Sequence, residues 1–77
     1  MTDRESLAMW VIYDHPFDIP DSFVARRWLV DKLGDRPTDE VIVAASLIVL
    51  REIMIDRGLA RIARHPTDDA KIVETWV

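Results

Sequence analysis

Residues 10–28 read WVIYDHPFDIPDSFVARRW, two apolar runs on either side of an acidic loop that contains two prolines. The runs are rich in Val, Ile, Tyr, Phe and Trp, which are the residue types that favour β-strands. Pro16 and Pro20 cannot continue the hydrogen bonding of a sheet between the runs. This stretch therefore predicts a strand, a loop and a second strand, with the strands at residues 8–14 and 22–31.

The chain is short and contains no cysteine. Its 77 residues leave room for one domain with one modest core. A core of this size rarely supplies more than about 3–5 kcal/mol without a disulfide, a metal or a partner. Since there is no cysteine for a disulfide, we expect a homo-oligomer, most simply a dimer.

The net charge and the length of the apolar stretches limit the classes of function that the chain can have. The formal net charge is -4, which argues against a general attraction to phosphate backbones, although eight of the ten basic residues are arginine. The longest apolar stretch, at residues 41–50, is too short to cross a membrane. Residues 1–8 carry mixed charges without periodicity and predict a flexible extension before a domain at residues 9–77, and Met9 is an alternative natural start. We expect a soluble cytoplasmic protein.

The middle of the chain admits two interpretations. Residues 32–38, with Gly34 and Pro37, predict a surface loop. From residue 39 to residue 57 the pattern fits either one long helix or a strand at residues 41–44 followed by a helix. We favour the strand and the helix.

The predicted helix occupies residues 47–57 and has a signal at each end. Ser46 is a good N-cap, Arg57 suits the last turn, and Gly58 is a good C-cap. Residues 59–64 and 70–77 then predict two further strands joined by a turn. The expected fold is α+β: a predominantly antiparallel sheet of four or five short strands in the order β-β-β-α-β-β, with one helix on one face.

A single helix can cover only one face of such a sheet. If Trp10 lies opposite Trp28, both faces are largely apolar, with one arginine on each. The uncovered face then favours contact with another molecule. The first functional interpretation is a non-enzymatic interaction module that self-associates through an apolar sheet face or edge, with Trp10, Ile12, Arg26 and Trp28 as candidate interaction residues.

Two of the predicted loops share the pattern H-P-x-D, one between the first two strands and one between the last two. It occurs at residues 15–18 and 65–68, and the loops lie at the same end of the sheet only if residues 41–44 form a strand. Two imidazoles with carboxylates suit zinc or another divalent ion, or a general base. The candidate ligands of this metal-dependent or acid-base enzyme are His15, Asp18, His65 and Asp68. The same residue types are common in turns, so we expect neither an enzyme nor a bound cofactor.

A third interpretation is binding of single-stranded nucleic acid through charge and stacking. Its candidate residues are Arg26, Arg27, Arg61 and Arg64, with Trp28 and Trp76 as stacking platforms. Strand arginines more often pair with carboxylates such as Glu74 or cover apolar rims, and tryptophans in small proteins are usually core. Nucleic acid is therefore an unlikely partner.

Four segments together resemble a family of small uncharacterised bacterial proteins. They are MWVIYDHP at residues 9–16, FVARRW at residues 23–28, the start of the helix at residues 47–51, and DDAKIVETWV at residues 68–77. The resemblance covers about residues 9–77 and implies a start at the position of Met9, with a strand and a short helix in the middle. It implies no activity and no catalytic residues.

Overall fold

The computed structural model describes residues 7–66 and 68–77. Within them it contains five strands and one helix: β1 (Leu7–Asp14), β2 (Phe23–Asp31), β3 (Gly34–Ala44), α1 (Leu47–Asp56), β4 (Arg61–Ala63) and β5 (Ile72–Trp76). Neighbouring strands are antiparallel, and their order in the sheet is β3-β2-β1-β5-β4. The predicted α+β fold is confirmed, including the strand that precedes the helix. The residues assigned to an N-terminal extension overlap the sheet, because β1 includes Leu7 and Ala8; residues 1–6 lie outside the described residues.

α1 begins at Leu47 as the sequence predicts and ends one residue earlier than predicted, at Asp56, with Arg57 instead of Gly58 as the C-cap. The Ser46 hydroxyl accepts a hydrogen bond from the backbone N–H of Ile48 at 3.2 Å, which satisfies a free donor of the first turn. Gly58 follows the C-cap Arg57 with a φ of +77°, a conformation that glycine adopts without strain. Within the described residues no helix is both long and apolar enough to cross a membrane.

α1 connects β3 to β4, which are the two edge strands, and therefore passes across one face of the sheet. We call this the covered face and the opposite one the open face. The covered face carries the core, in which Leu50 and Met54 of the helix have no exposed surface. They pack with strand residues at the centre of the sheet, namely Trp10, Ile12, Ala25 and Trp76. Close packing of this kind between one helix and the central strands is the main source of stability in a small domain.

β1 and β2 pair one residue away from the predicted register. Met9 lies opposite Trp28, and Trp10 lies opposite Arg27. Because directly paired residues point to the same face, a slip of one residue exchanges the faces of one strand relative to the other. The prediction that Trp10 and Trp28 share a face is therefore wrong: Trp10 lies on the covered face and Trp28 on the open face.

The predicted loop at residues 32–38 is also wrong from Gly34 onward, where β3 begins. The turn before it is tight: the Asp31 carboxylate accepts a hydrogen bond from the Leu33 N–H at 2.8 Å and pairs with Arg36 at 2.8 Å. Gly34 has a φ of +115°, which favours glycine. Proline and charged residues resemble a loop in sequence, yet they are also typical of an edge strand such as β3.

Candidate interaction surface

The open face is the side of the sheet that α1 leaves uncovered. Strand pairing places apolar side chains from all five strands on it. They are Leu7, Met9, Val11 and Tyr13 of β1, Val24, Trp28 and Val30 of β2, Pro37, Val41 and Val43 of β3, Ile62 of β4 and Ile72 of β5. The same pairing puts two charged residues on this face, Arg26 and Asp35. An apolar sheet face of this extent is unusual for an isolated domain.

Tyr13 and Trp28 shape the centre of the open face. They lie on neighbouring strands, on either side of the row in which Val11 pairs with Arg26. Val11 is only 5% exposed although no helix lies above it. We attribute its burial to these two aromatic side chains, which flank that row.

The polar ends of these two rings interact weakly. The Trp28 indole nitrogen is buried and makes no hydrogen bond of normal geometry with the described part of the chain. Burial raises the pKa of the Tyr13 hydroxyl above its usual value, and the nearby Trp28 N–H and Arg26 charge oppose that rise without cancelling it. A neutral phenol beside a poorly paired indole suits a surface that is buried in a complex, because aromatic side chains with one polar atom are common at interfaces.

Two depressions flank the Tyr13–Trp28 pair. The first, which we call the arginine groove, has a volume of about 290 Å³ and is lined by Tyr13, Pro16, Asp18, Arg26, Trp28 and Pro37. The second, the acidic groove, has a volume of about 190 Å³ and is lined by Met9, Val11, Tyr13, Trp28, Asp35, Asp68, Ile72 and Thr75. Both volumes lie below the range of roughly 300–1,000 Å³ that is typical of small-molecule sites. The arginine groove holds the Arg26–Asp18 ion pair, whereas the acidic groove is lined by two aspartates and no basic residue.

The four predicted interaction residues are divided between the two faces. Trp10 and Ile12 belong to the core under α1, where they are 5% and 0% exposed. Arg26 and Trp28 lie on the open face and line its grooves. The core residues have no surface to offer a partner, so only Arg26 and Trp28 remain as candidates.

The two H-P-x-D loops lie at the same end of the sheet. The Asp14 N–H, at the start of the first loop, donates to the Lys71 carbonyl of the second at 2.7 Å, and the Lys71 ammonium lies 5.3 Å from the centre of the Phe17 ring. The condition for a shared site is thus met by the strand at residues 41–44. Among residues 7–66 and 68–77, however, no group of three or more acidic or histidine side chains is placed to hold a metal ion.

The polar groups of these loops are engaged locally instead. Asp18 pairs with Arg26 at 2.7 Å, and the Asp68 carboxylate accepts the His65 backbone N–H at 2.9 Å. His15 has a positive φ of 51°, and its ring contacts both Asp14 and the edge of Phe23. Each loop uses its aspartate in a different way, as expected of turn residues.

The four candidate arginines for nucleic acid do not form one basic surface. Arg26 lies on the open face, whereas Arg27 pairs with Glu40 at 2.9 Å. Arg61 lies opposite Trp76 on the covered face, and Arg64 donates to the Asp68 carbonyl at 2.9 Å. Trp76 is a core residue, so it offers no platform for a base.

A buried charge cluster on the covered face escaped the sequence analysis. Glu74 is 1% exposed and accepts two hydrogen bonds from Arg51 of α1, at 3.0 and 2.8 Å, and one from the Trp76 indole at 2.8 Å. Arg61 lies 3.5 Å away, which agrees with the expected pairing of strand arginines with Glu74. Burial acts to raise the pKa of Glu74, but these hydrogen bonds and charges outweigh it and hold the pKa below its usual value. The sequence signal was the one basic residue of α1, Arg51, and the one charged residue of β5, Glu74.

No protein-family model, curated protein or solved structure matches the chain. The resemblance to a family of small bacterial proteins stays a prediction, and the functional argument rests on the geometry of this chain.

Proposed function

We propose that this protein is a non-enzymatic, cytoplasmic interaction module that self-associates as a homodimer through the open face of its sheet. The observation that carries the proposal is the uncovered apolar surface across all five strands. Val43 and Ile62, on the two edge strands, are 49% and 50% exposed. Burying them against a second copy gains the hydrophobic stabilisation that α1 provides on the other side.

A second copy of this chain is the expected partner of the open face, because the face is apolar and carries charges of both signs. On this face the strands carry one basic and one acidic residue, Arg26 and Asp35, and Asp18 and Asp68 line its grooves, so two identical faces can be oriented with opposite charges facing each other. Symmetric contact of one patch with itself is the commonest arrangement in soluble oligomers. It also adds core to a domain that is small for independent stability.

A second apolar surface provides a control for the experiment. The outer side of α1 exposes Ile48 and Ile55 by 65% and 61%. A glutamate at Ile48 therefore introduces a charge on an exposed apolar residue away from the sheet. Val43→Glu does the same on the open face.

Size-exclusion chromatography with light scattering tests the proposal. We expect the natural chain to be a dimer, Val43→Glu and Ile62→Glu to be monomers, and Ile48→Glu to remain a dimer. Circular dichroism establishes that each variant is folded. A monomeric natural chain, or a dimer that only Ile48→Glu dissociates, would refute the open face as the interface.

A further inference from the structure

We propose that in the dimer the Arg26 side chain of each copy binds in the acidic groove of the other. This inference rests on the proposed self-association and specifies the contact that sets its orientation. It also assigns a role to the two aspartates that line the acidic groove, Asp35 and Asp68.

The acidic groove has the chemistry of a guanidinium site. Tyr13 and Trp28 supply aromatic surface, on which arginine packs well, and the two aspartates supply carboxylates. The Asp35 carboxylate makes no hydrogen bond or ion pair with the part of the chain that the structure describes. Asp68 accepts the His65 N–H through one carboxylate oxygen, at 2.9 Å. An unpaired carboxylate beside two aromatic rings favours a cation from outside the chain.

Arg26 is the basic side chain that can reach this groove in a second copy. It is the one basic residue that strand pairing places on the open face within the described residues. Its partner within the chain is Asp18, at 2.7 Å, and that aspartate is 61% exposed. Exposed ion pairs of this kind contribute at most about 1 kcal/mol, so Arg26 can exchange Asp18 for a better desolvated site.

The layout of the face is self-complementary. The Tyr13–Trp28 pair borders both grooves, with Arg26 on one side and the two aspartates lining the other groove. A twofold axis that runs along this pair in the plane of the interface brings each Arg26 opposite the acidic groove of the other copy. The two contacts are then identical, and they offset the repulsion between two chains that each carry a formal charge of -4.

Exchanging the charges tests the contact. Arg26→Asp and Asp35→Arg each place like charges opposite each other, and we expect each variant alone to dimerise at least about tenfold more weakly than the natural chain. When the two variants are mixed, opposite charges meet at both contacts. We expect a heterodimer whose dissociation constant lies within about threefold of the natural one, measured by sedimentation with one variant fluorescently labelled.

Two further variants separate the contact from a folding defect. The double variant R26D/D35R carries both exchanges in one chain, and we expect it to form homodimers again. Asp56→Arg makes the same charge change on α1, away from the open face, and we expect it to dimerise at least as well as the natural chain.

The outcomes distinguish this inference from the function on which it rests. A dimer that neither single variant weakens, or single variants that do not recombine, would overturn the Arg26 contact and leave the open face as the interface. A monomeric natural chain would overturn both proposals. A monomer that binds an arginine-rich peptide through Asp35 would replace the second copy with a basic partner.

Discussion

On the covered face, Ile12, Leu50 and Met54 have no exposed surface, whereas on the open face Val43 and Ile62 keep about half of theirs. The two faces are made of the same residue types, and the difference arises because the only helix in the described chain can lie on one side. The covered face stabilises the monomer. On the open face Val11 and Val24, at the centre, are also buried, but the apolar residues of the two edge strands stay exposed, which is why we assign association to it.

The largest expected difference between the faces is the cost of removing an isoleucine. Ile12→Ala on the covered face leaves a cavity in a fully buried site and is expected to cost about 3–4 kcal/mol, enough to unfold much of the protein. Ile62→Ala on the open face is expected to cost less than about 1 kcal/mol in dilute protein. Urea unfolding followed by circular dichroism measures both. If the open face is buried in a dimer, the cost of Ile62→Ala rises with protein concentration.

The next comparison sets a buried ion pair against an exposed one. Arg51→Ala leaves Glu74 buried with the Trp76 indole and the more distant Arg61 as its partners, and we expect it to cost about 2–3 kcal/mol, because Arg51 itself is partly exposed. Arg26→Ala breaks an exposed pair and is expected to cost less than about 1 kcal/mol. The measurement is the free energy of unfolding, determined at protein concentrations below the dissociation constant of the dimer. Equal costs would show that burial does not distinguish the two pairs.

Lowering the pH is expected to reduce the stability of the folded protein, because Glu74 on the covered face becomes protonated. Its pKa is lowered in the folded protein, so its contribution is present above the pKa of unfolded glutamate and is lost as the pH falls through the folded pKa. Stability therefore declines below about pH 5. In Glu74→Gln this decline is expected to be shallower in urea titrations at several pH values. Asp31, whose pKa Arg36 lowers, contributes in the same direction, and Asp31→Asn serves as the reference.

The smallest expected effect is a change in the pKa of Tyr13 on the open face. Tyr13 is the single tyrosine of the chain, so its ionisation can be followed without interference from another tyrosine. Burial raises the pKa of Tyr13, and the Trp28 N–H opposes the rise. Trp28→Phe removes that donor, so we expect the tyrosinate absorbance to appear at a higher pH than in the natural chain. A lower pKa in Trp28→Phe would mean that the loss of covering surface outweighs the loss of the donor.

The sequence predicted the elements that local residues determine. Ser46 and Gly58 located the helix, and alternating apolar residues located β1 and β2. The register between those strands could not be predicted in the same way, because it depends on the geometry of the intervening loop and a slip of one residue reverses every side chain. The first part of β3 was missed because its proline and charges suit an edge strand as well as a loop.

The prediction of the interaction residues depended on the register between β1 and β2. Arg26 and Trp28 were identified, but Trp10 and Ile12 were placed with them and belong to the core. The acidic groove combines Asp35 from the start of β3 with Asp68 from the loop before β5, residues that no local pattern connects. Only the fold brings them to one groove.

The position of β5 in the sheet has a consequence for folding kinetics. The last strand pairs with the first, so that Trp76 lies opposite Trp10, and β5 is inserted between β1 and β4. Closing a loop of nearly the whole chain costs entropy before that pairing repays it. The β1–β2–β3 meander has short connections and can form early. The sheet is completed only when α1 has packed across it and placed β4 and β5. We therefore expect slower folding than in a helical domain of equal length, with the meander formed in the transition state and β5 docking late.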